Sequence, residues 1–474
     1  MSPFDEARYE RLLEGLEATE ISFGALDKER RIDAQYFRKK YLAEDASRHK
    51  HVGTTLGASA FITDGPHGYH VVDEYSRIAM LTAKCAKDWF ADRTLAETIH
   101  RETHQSNLRS SLEVDDLILS TRGTVGACAL VEKEALPANI DQDVARISVL
   151  KNAAVIPGYV LAYLNSSFGQ DWIERNATGM VQQGLSLAKV RDLPIPVLSG
   201  ELQAAVDSLV RKASAARAKS RLALRHSEAF LLNTLGLDTW TPPEALSYVR
   251  TSSEVFAAGR LDAQCFAPRV EQLLARLGRD GLRLSDVAPV RHERFEPTGS
   301  GDFDYIEIGS LGADGTAASE SVPMAEAPSR ATQHVRAGDV ITSTVRPIRR
   351  LSDLIAPEQD GAVCSSGFVV LQPQGISGEV LLTYLRLPLV CELMDLHTSA
   401  TMYPAISESD LLALPIPAIA PSVQVQVQDA VRQSAHARQR ATRLLDAAKR
   451  AVELAIEESE SAALRSLEGT SSGS

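Results

Sequence analysis

The chain says nearly the same thing twice, at a distance the size of a whole domain. Arg-Ile-Asp-Ala-Gln-Tyr-Phe at Arg31 to Phe37 returns as Arg-Leu-Asp-Ala-Gln-Cys-Phe at Arg260 to Phe266, and Leu-Pro-Ile-Pro at Leu193 to Pro196 returns at Leu414 to Pro417. A period of more than about 200 residues is too long for a solenoid repeat, so the chain reads as two related units in tandem. The register is constant late in each unit: Tyr163, Pro194 and Arg211 recur as Tyr384, Pro415 and Arg432 at one and the same offset. Upstream the offset drifts, growing slightly between Asp116 and Asp339 and further between Asp33 and Asp262, so small insertions separate the copies there.

Each copy has the same order of parts. The segment Leu117 to Gly126, an apolar run closed by glycines, reads as a strand and hairpin, and Val340 to Pro347 is its counterpart. A second apolar stretch follows, Arg146 to Leu150 or Gly367 to Leu371, then a helical segment, Gly158 to Asn165 or Gly378 to Arg386. The alternating prolines of Leu-Pro-Ile-Pro exclude a helix interior or a central strand, so this exit is extended and lies at an edge. Beyond it, Glu201 to Leu232 and Ser422 to Ile456 lack proline and glycine and keep helical apolar spacing. Each helix would run about 45 Å at about 1.5 Å per residue and needs a partner along its length. The other helix is the natural partner, as a coiled coil; folding back on its own domain is the alternative.

The expected fold class is therefore α+β, with two tandem domains of mixed α/β type, each followed by a long helix. The boundaries read as an N-terminal helical segment at 1–29, a first globular domain at 30–198, a helix at 199–235 and a connector at 236–259. A second globular domain at 260–419, a helix at 420–458 and a disordered tail at 459–474 complete the chain.

Composition limits the functions open to such a chain. With 44% hydrophobic and 24% charged residues, it has the balance of an ordinary globular protein, not a disordered one. No signal-like N-terminus and no apolar run of about 18 residues occurs, so a cytoplasmic location without membrane contact is expected. Five widely spaced cysteines, with no Cys-x-x-Cys pair, point to reduced structural thiols, and His67, His70, His100 and His104 lack metal-ligand spacing. A formal net charge of -12 argues mildly against nucleic acid, but it hides two basic stripes. Arg211 to His226 contains six Lys or Arg and no acidic residue, and Arg432 to Arg450 repeats the bias. A solvated helix face is the ordinary meaning of such a run; contact with phosphate or a partner subunit, through Arg217, Arg221, Arg438 and Arg443, is the sharper one.

Matching polar loops precede the two exits. Arg175, Thr178, Gln182 and Gln183 stand in the first; Ser399, Thr401 and Tyr403 stand in the second. Paired donor-acceptor side chains such as Gln182 and Gln183 are of the type that reads base edges, although a plain solvent-exposed loop fits equally well. At the hairpins, Ser120, Thr121 and Arg122 in one copy and Thr344, Arg346, Arg349 and Arg350 in the other are candidates for phosphate or base contact. Catalytic motifs are missing. The one Pro-Pro pair, Pro242-Pro243, has neither flank of an adenine methyltransferase motif, and there is no phosphate loop or nucleophile elbow. Glu132 and Glu134 beside Lys133 form at most a surface charge cluster. No catalytic, cofactor-binding or metal-ligating residue is expected.

Globular unit, Leu-Pro-Ile-Pro exit and long helix, twice over, resembles the specificity subunit of Type I restriction-modification systems across almost the whole chain. The segments Asp116 to Gly126 and Asp339 to Arg346, with the exits Gly184 to Pro196 and Ala405 to Pro417, carry the likeness. The resemblance implies that each globular unit is a target recognition domain for double-stranded DNA and that the helices pair as an antiparallel spacer. It further implies two copies of an adenine methyltransferase as partners, which bind S-adenosylmethionine themselves, and restriction subunits in the cleaving assembly. The unlike loops imply an asymmetric bipartite target. Two rival functions are an autonomous enzyme acting on nucleic acid, against which the missing motifs speak, and a coiled-coil scaffold without DNA contact.

Overall fold

A computed structural model describes residues 9, 13–26, 31–48, 50–51, 53–68, 70–86, 88–179, 183–312, 316–399 and 404–471. The chain divides into two compact units, residues 1–216 together with 439–474, and residues 217–438. Neither unit is a continuous stretch of globular chain followed by a free helix. Each incorporates part of both long helices.

In the first unit the elements in order are α1 (Lys39–Arg48), β1 (Gly53–Thr55), β2 (Ala60–Asp64), β3 (Ala79–Leu81), β4 (Glu97–Thr98), β5 (Leu117–Ser120) and β6 (Cys128–Leu130). They continue with β7 (Ala138–Ile140), β8 (Val144–Val149), α2 (Pro157–Leu164), α3 (Ser167–Asn176), α4 (Leu187–Asp192), β9 (Pro194–Pro196) and α5 (Gly200–Thr234). An antiparallel sheet runs β2-β8-β5-β6, a smaller one runs β4-β3-β7 with β3 and β7 parallel, and among the described residues β9 pairs only with β1. The proline exit is thus an edge strand, where the missing N–H groups leave no ladder bond unmade. Helix α2 begins with Pro157 at its first turn and is buried from Gly158 to Leu164. It shares one core with the sheet residues Leu117, Leu119, Leu130 and Ile147 and with Leu202, Val206, Leu209 and Ala213 of α5. That spacing of four, three and four is the buried stripe of a helix. A Cβ on Gly158 would lie 2.1 Å from Asp207 Oδ1, so only glycine lets α2 approach α5 this closely.

The second unit contains α6 (Pro268–Leu277), β10 (Asp302–Ile306), β11 (Glu320–Pro323), β12 (Ala331–His334), β13 (Val340–Ser343), β14 (Ser352–Leu354), β15 (Val363–Ser365) and β16 (Phe368–Leu371). Then come α7 (Gly378–Leu385), α8 (Pro388–Leu396), β17 (Thr398–Ser399), β18 (Ala405–Ile406), α9 (Glu408–Leu412) and α10 (Pro421–Glu457), with α11 (Glu460–Ser471) returning to the first unit. Its sheets are β14-β13-β16 and β11-β10-β15-β12, again with one parallel pair, β10 with β15. The repeat is visible bond by bond. Tyr163 Oη donates to the Pro194 carbonyl at 2.7 Å, and Tyr384 Oη donates to that of Pro415. Gln203 at the start of α5 donates to the Leu198 carbonyl and accepts from Ile156; Gln424 in α10 does the same with Ile419 and Ser377. Buried Asp116 accepts from the N–H of Glu113, and buried Asp339 from that of Arg336, three positions back in both cases.

The long helices differ from separate spacer domains. In the first unit, Ala441, Leu445, Ala448 and Val452 of α10 join the same core as Leu202 and Val206 of α5. In the second unit, Leu224 and Leu231 of α5 share a core with Val427 and Val431 of α10. Buried Ser220 and Ser434 hydrogen-bond each other at 2.9 Å there. The tail also departs from expectation: residues 460–471 are helical, because Ala463 and Leu467 bury an apolar stripe and Glu460 accepts the Ser199 N–H. Residues 472–474 lie outside the described residues, as does much of the expected N-terminal helix. All five cysteines are free thiols, four of them buried. Among the described residues no helix is long and apolar enough to cross a membrane, and no group of His, Cys, Asp and Glu has metal-holding geometry.

Candidate nucleic-acid interface

Each unit places a turn beside a loop, and the same backbone bonds join them. In the first, β5 ends in a turn in which Ser120 Oγ donates to the Arg122 carbonyl at 2.7 Å, while the Thr121 N–H and hydroxyl both donate to the Asp143 carbonyl, at 2.8 and 3.0 Å. The loop closes where Thr178 and Gly184 exchange N–H···O bonds of 2.9 and 2.8 Å, and the Leu185 N–H then donates to the Thr121 carbonyl at 2.9 Å. In the second unit, Ser343 Oγ donates to the Val345 carbonyl, and the Thr344 N–H and hydroxyl both donate to that of Gly367. Ser399 pairs with Ala405, and the Ile406 N–H donates to the Thr344 carbonyl at 3.0 Å. Apart from Gly367, every position in this second set is the repeat equivalent of its partner in the first, at the hairpin's offset or at the loop's. Serine N-caps at Ser186 and Ser407 start α4 and α9 and so fix where each loop ends.

The scaffold sorts the candidate residues. Ser120, Thr121 and Thr344 hold the turn: the first two are buried and all three hydroxyls are spent on backbone carbonyls. Arg175 is 7% exposed; its guanidinium donates to the Tyr36 carbonyl at 2.7 Å and to Asp45 at 2.5 Å, and it stacks 4.0 Å over the Tyr36 ring. A residue so enclosed positions the loop instead of touching a ligand. Arg350 is likewise anchored, donating to the Arg386 carbonyl at 2.7 Å and pairing with Glu228 of α5 at 2.5 Å. Arg122, Thr178, Gln183, Arg346, Arg349 and Ser399 remain exposed on the turn and loop. Gln182, Thr401 and Tyr403 lie outside the described residues.

Arg122 meets Asp143 at 3.3 Å with both side chains well exposed. A surface pair of this kind contributes only about 0–1 kcal/mol, so the guanidinium can leave it for a phosphate at little loss. Asp143 was missed by sequence reasoning because its role rests on a carbonyl and on a strand partner distant in the chain. On the long helices, Arg217, Arg221 and Arg438 are half-buried and Arg443 is exposed. Arg438 also serves its own unit: burial pushes the Asp353 carboxyl up to about 6, and the Arg438 charge works against that rise.

The described residues thus form one turn-and-loop frame twice, with unlike exposed side chains on the two copies. No family model matches the chain, and no curated protein does. Among solved structures it is similar to the S subunit of a Type I restriction-modification system from M. genitalium, at 10% identity over 86% of this chain and 95% of that one, with a TM-score of 0.37. It is also similar to the HsdS subunit from Thermoanaerobacter tengcongensis, at 16% identity over 86% and 97%, TM-score 0.28. A third similar chain comes from a structure of type I R-M complex assembly and conformational transition, at 16% identity over 88% and 96%, TM-score 0.27.

Proposed function

We propose that this chain is the DNA-specificity subunit of a Type I-like restriction-modification or related phage-defence complex. Each unit reads one half of an asymmetric bipartite target, and α5 and α10 pair as an antiparallel coiled coil that spaces the readers. The chain recruits two copies of an adenine methyltransferase, which bring S-adenosylmethionine, and restriction or translocase subunits in the cleaving assembly. One observation carries this reading: the same turn-and-loop frame occurs twice with the same hydrogen bonds, while the exposed residues differ, Arg122, Thr178 and Gln183 in one and Arg346, Arg349 and Ser399 in the other. A shared frame with divergent tips suits a ligand that has approximate twofold symmetry of backbone and unlike sequence in its halves, which is the condition of duplex DNA. The acidic sum is compatible, since partner subunits add their own charge around the duplex.

The test is co-expression with the adenine methyltransferase subunit that this reading requires, and mapping of methylated adenines in the host DNA. A gapped target with two unlike halves is the expected outcome. A continuous palindrome, or methylation by the purified chain alone, would overturn the assignment.

A further inference from the structure

The longer of the two repeated motifs, Arg-[Ile/Leu]-Asp-Ala-Gln-x-Phe, takes no part in the turn-and-loop bonds. It lies far in sequence from the turn and loop, and its two copies are separated by a longer offset than the loops are. The structure nonetheless brings it to the same place twice. Arg31 Nε donates to Asp33 at 2.9 Å, and Asp33 in turn accepts the Tyr36 N–H at 2.9 Å; Arg260 Nε donates to Asp262 at 2.8 Å, and Asp262 accepts the Cys265 N–H at 3.1 Å. The aspartate makes a tight turn and the turn holds the guanidinium in one orientation. The far side of that guanidinium reaches a helix end. Arg31 Nη1 donates to the Arg175 carbonyl at 3.4 Å in the last turn of α3, and Arg260 Nη2 donates to the Leu396 carbonyl at 2.6 Å at the last residue of α8. Arg175 and Leu396 are equivalent positions in the constant register of the repeat, and each stands three places before the residue that closes its loop, Thr178 or Ser399.

We propose that Arg31 and Arg260 are positioning residues for specificity: each clamps the C-terminus of the helix from which a recognition loop departs. The inference rests on the specificity reading above. The physical basis is that the last carbonyls of a helix lack internal partners and carry the negative end of its dipole, so a braced cation there fixes the final turn. In the first unit the clamp is reinforced, because the guanidiniums of Arg31 and Arg175 both stack on the Tyr36 ring, at 4.3 and 4.0 Å from its centroid. Cys265, which carries no ring, stands at that place in the second unit.

The experiment uses the full chain with its methyltransferase subunits, as wild type, R31A, R31K, D33N and R260A, on a plasmid library of random sequence. Methylation mapping should show one half-site degenerate in R31A and D33N and the other in R260A. R31K should not restore the first, because a single ammonium cannot hold Asp33 and the Arg175 carbonyl together. General destabilisation would weaken both halves alike, and that result overturns the proposal. Amide hydrogen exchange on the same proteins gives a readout without DNA: the Ala177, Thr178, Gly184 and Leu185 amides should exchange several-fold faster in R31A, with α5 unchanged. Unaltered exchange there sinks the clamp. A wild-type complex without a gapped target sinks the specificity reading instead, and leaves the exchange result to decide the clamp alone.

Discussion

Gly123 and Arg346 occupy the same place in their turns, one in each copy, and both have a positive φ, 74° and 50°. Glycine adopts this left-handed region freely, whereas a residue with a Cβ does so at a disadvantage of about 1–2 kcal/mol. An arginine held there by its N–H to the Pro404 carbonyl, at 2.8 Å, is a conformational outlier in an exposed turn, which is where strain accompanies function. Arg346→Gly should therefore leave stability in urea unchanged within about 1 kcal/mol while weakening DNA binding by the assembled complex. A phosphate contact predicts uniform weakening with a salt slope reduced by about one; a base contact predicts about 1–3 kcal/mol lost at one position of one half-site. Unaltered binding removes Arg346 from the interface. Sequence spacing pointed to Arg346 and equally to Arg175, and only the fold separates them, because the burial of Arg175 depends on Tyr36 and Asp45, which lie far upstream in the chain. Patterning places a residue on an element; it does not say which neighbour covers it.

Elements were more legible than side chains because their signals are local. The hairpin glycines, the proline exits and the unbroken apolar period of the long helices each act over short stretches of chain. What the period could not show was how each helix divides. Glu228 in α5 pairs with Arg386, 2% exposed, and with Arg350, so α5 is tied into the second unit by a buried carboxylate. Glu228→Ala leaves Arg386 buried without that partner and should destabilise the second unit by about 3–5 kcal/mol in denaturant titration. A loss below about 1 kcal/mol would mean that the Arg350 and Ser352 carbonyls, which also accept from Arg386, suffice for it. The contact between α1 and α3 makes a pH-dependent counterpart in the first unit. Burial, together with a hydrogen bond and repulsion from Asp171, pushes the Glu44 carboxyl up to about 8. The folded state thus holds a proton on Glu44 that the unfolded chain releases near its ordinary value, so this group's contribution falls as pH rises from about 4.5 to about 8. Glu44→Gln should flatten that part of the stability profile, as thermal melts across this range would show; an unchanged slope assigns the effect elsewhere.

At the scale of the whole molecule the repeat drift acquires a structural meaning. The constant register covers the helix end, the loop closure, the proline exit and the start of the long helix, all parts whose hydrogen bonds recur in both units. The drifting part covers the sheets, where the first unit has a four-stranded antiparallel sheet and the second a three-stranded one in its place. A frame that recurs with bonds intact is interchangeable in a way that its surroundings are not. Residues 178–184 and 399–405 are equal in length, and each is closed by a pairing of its first residue with its last and followed by the same N–H···O bond to a threonine carbonyl. Replacing 399–405 by the sequence of 178–184 should therefore fold, and it should move the second half-site toward the first if these loops read DNA. Methylation mapping of the exchanged chain with its partner subunits decides the matter. Two half-sites made alike locate readout in the loops, whereas an unchanged second half-site places it in the sheets that differ between the units.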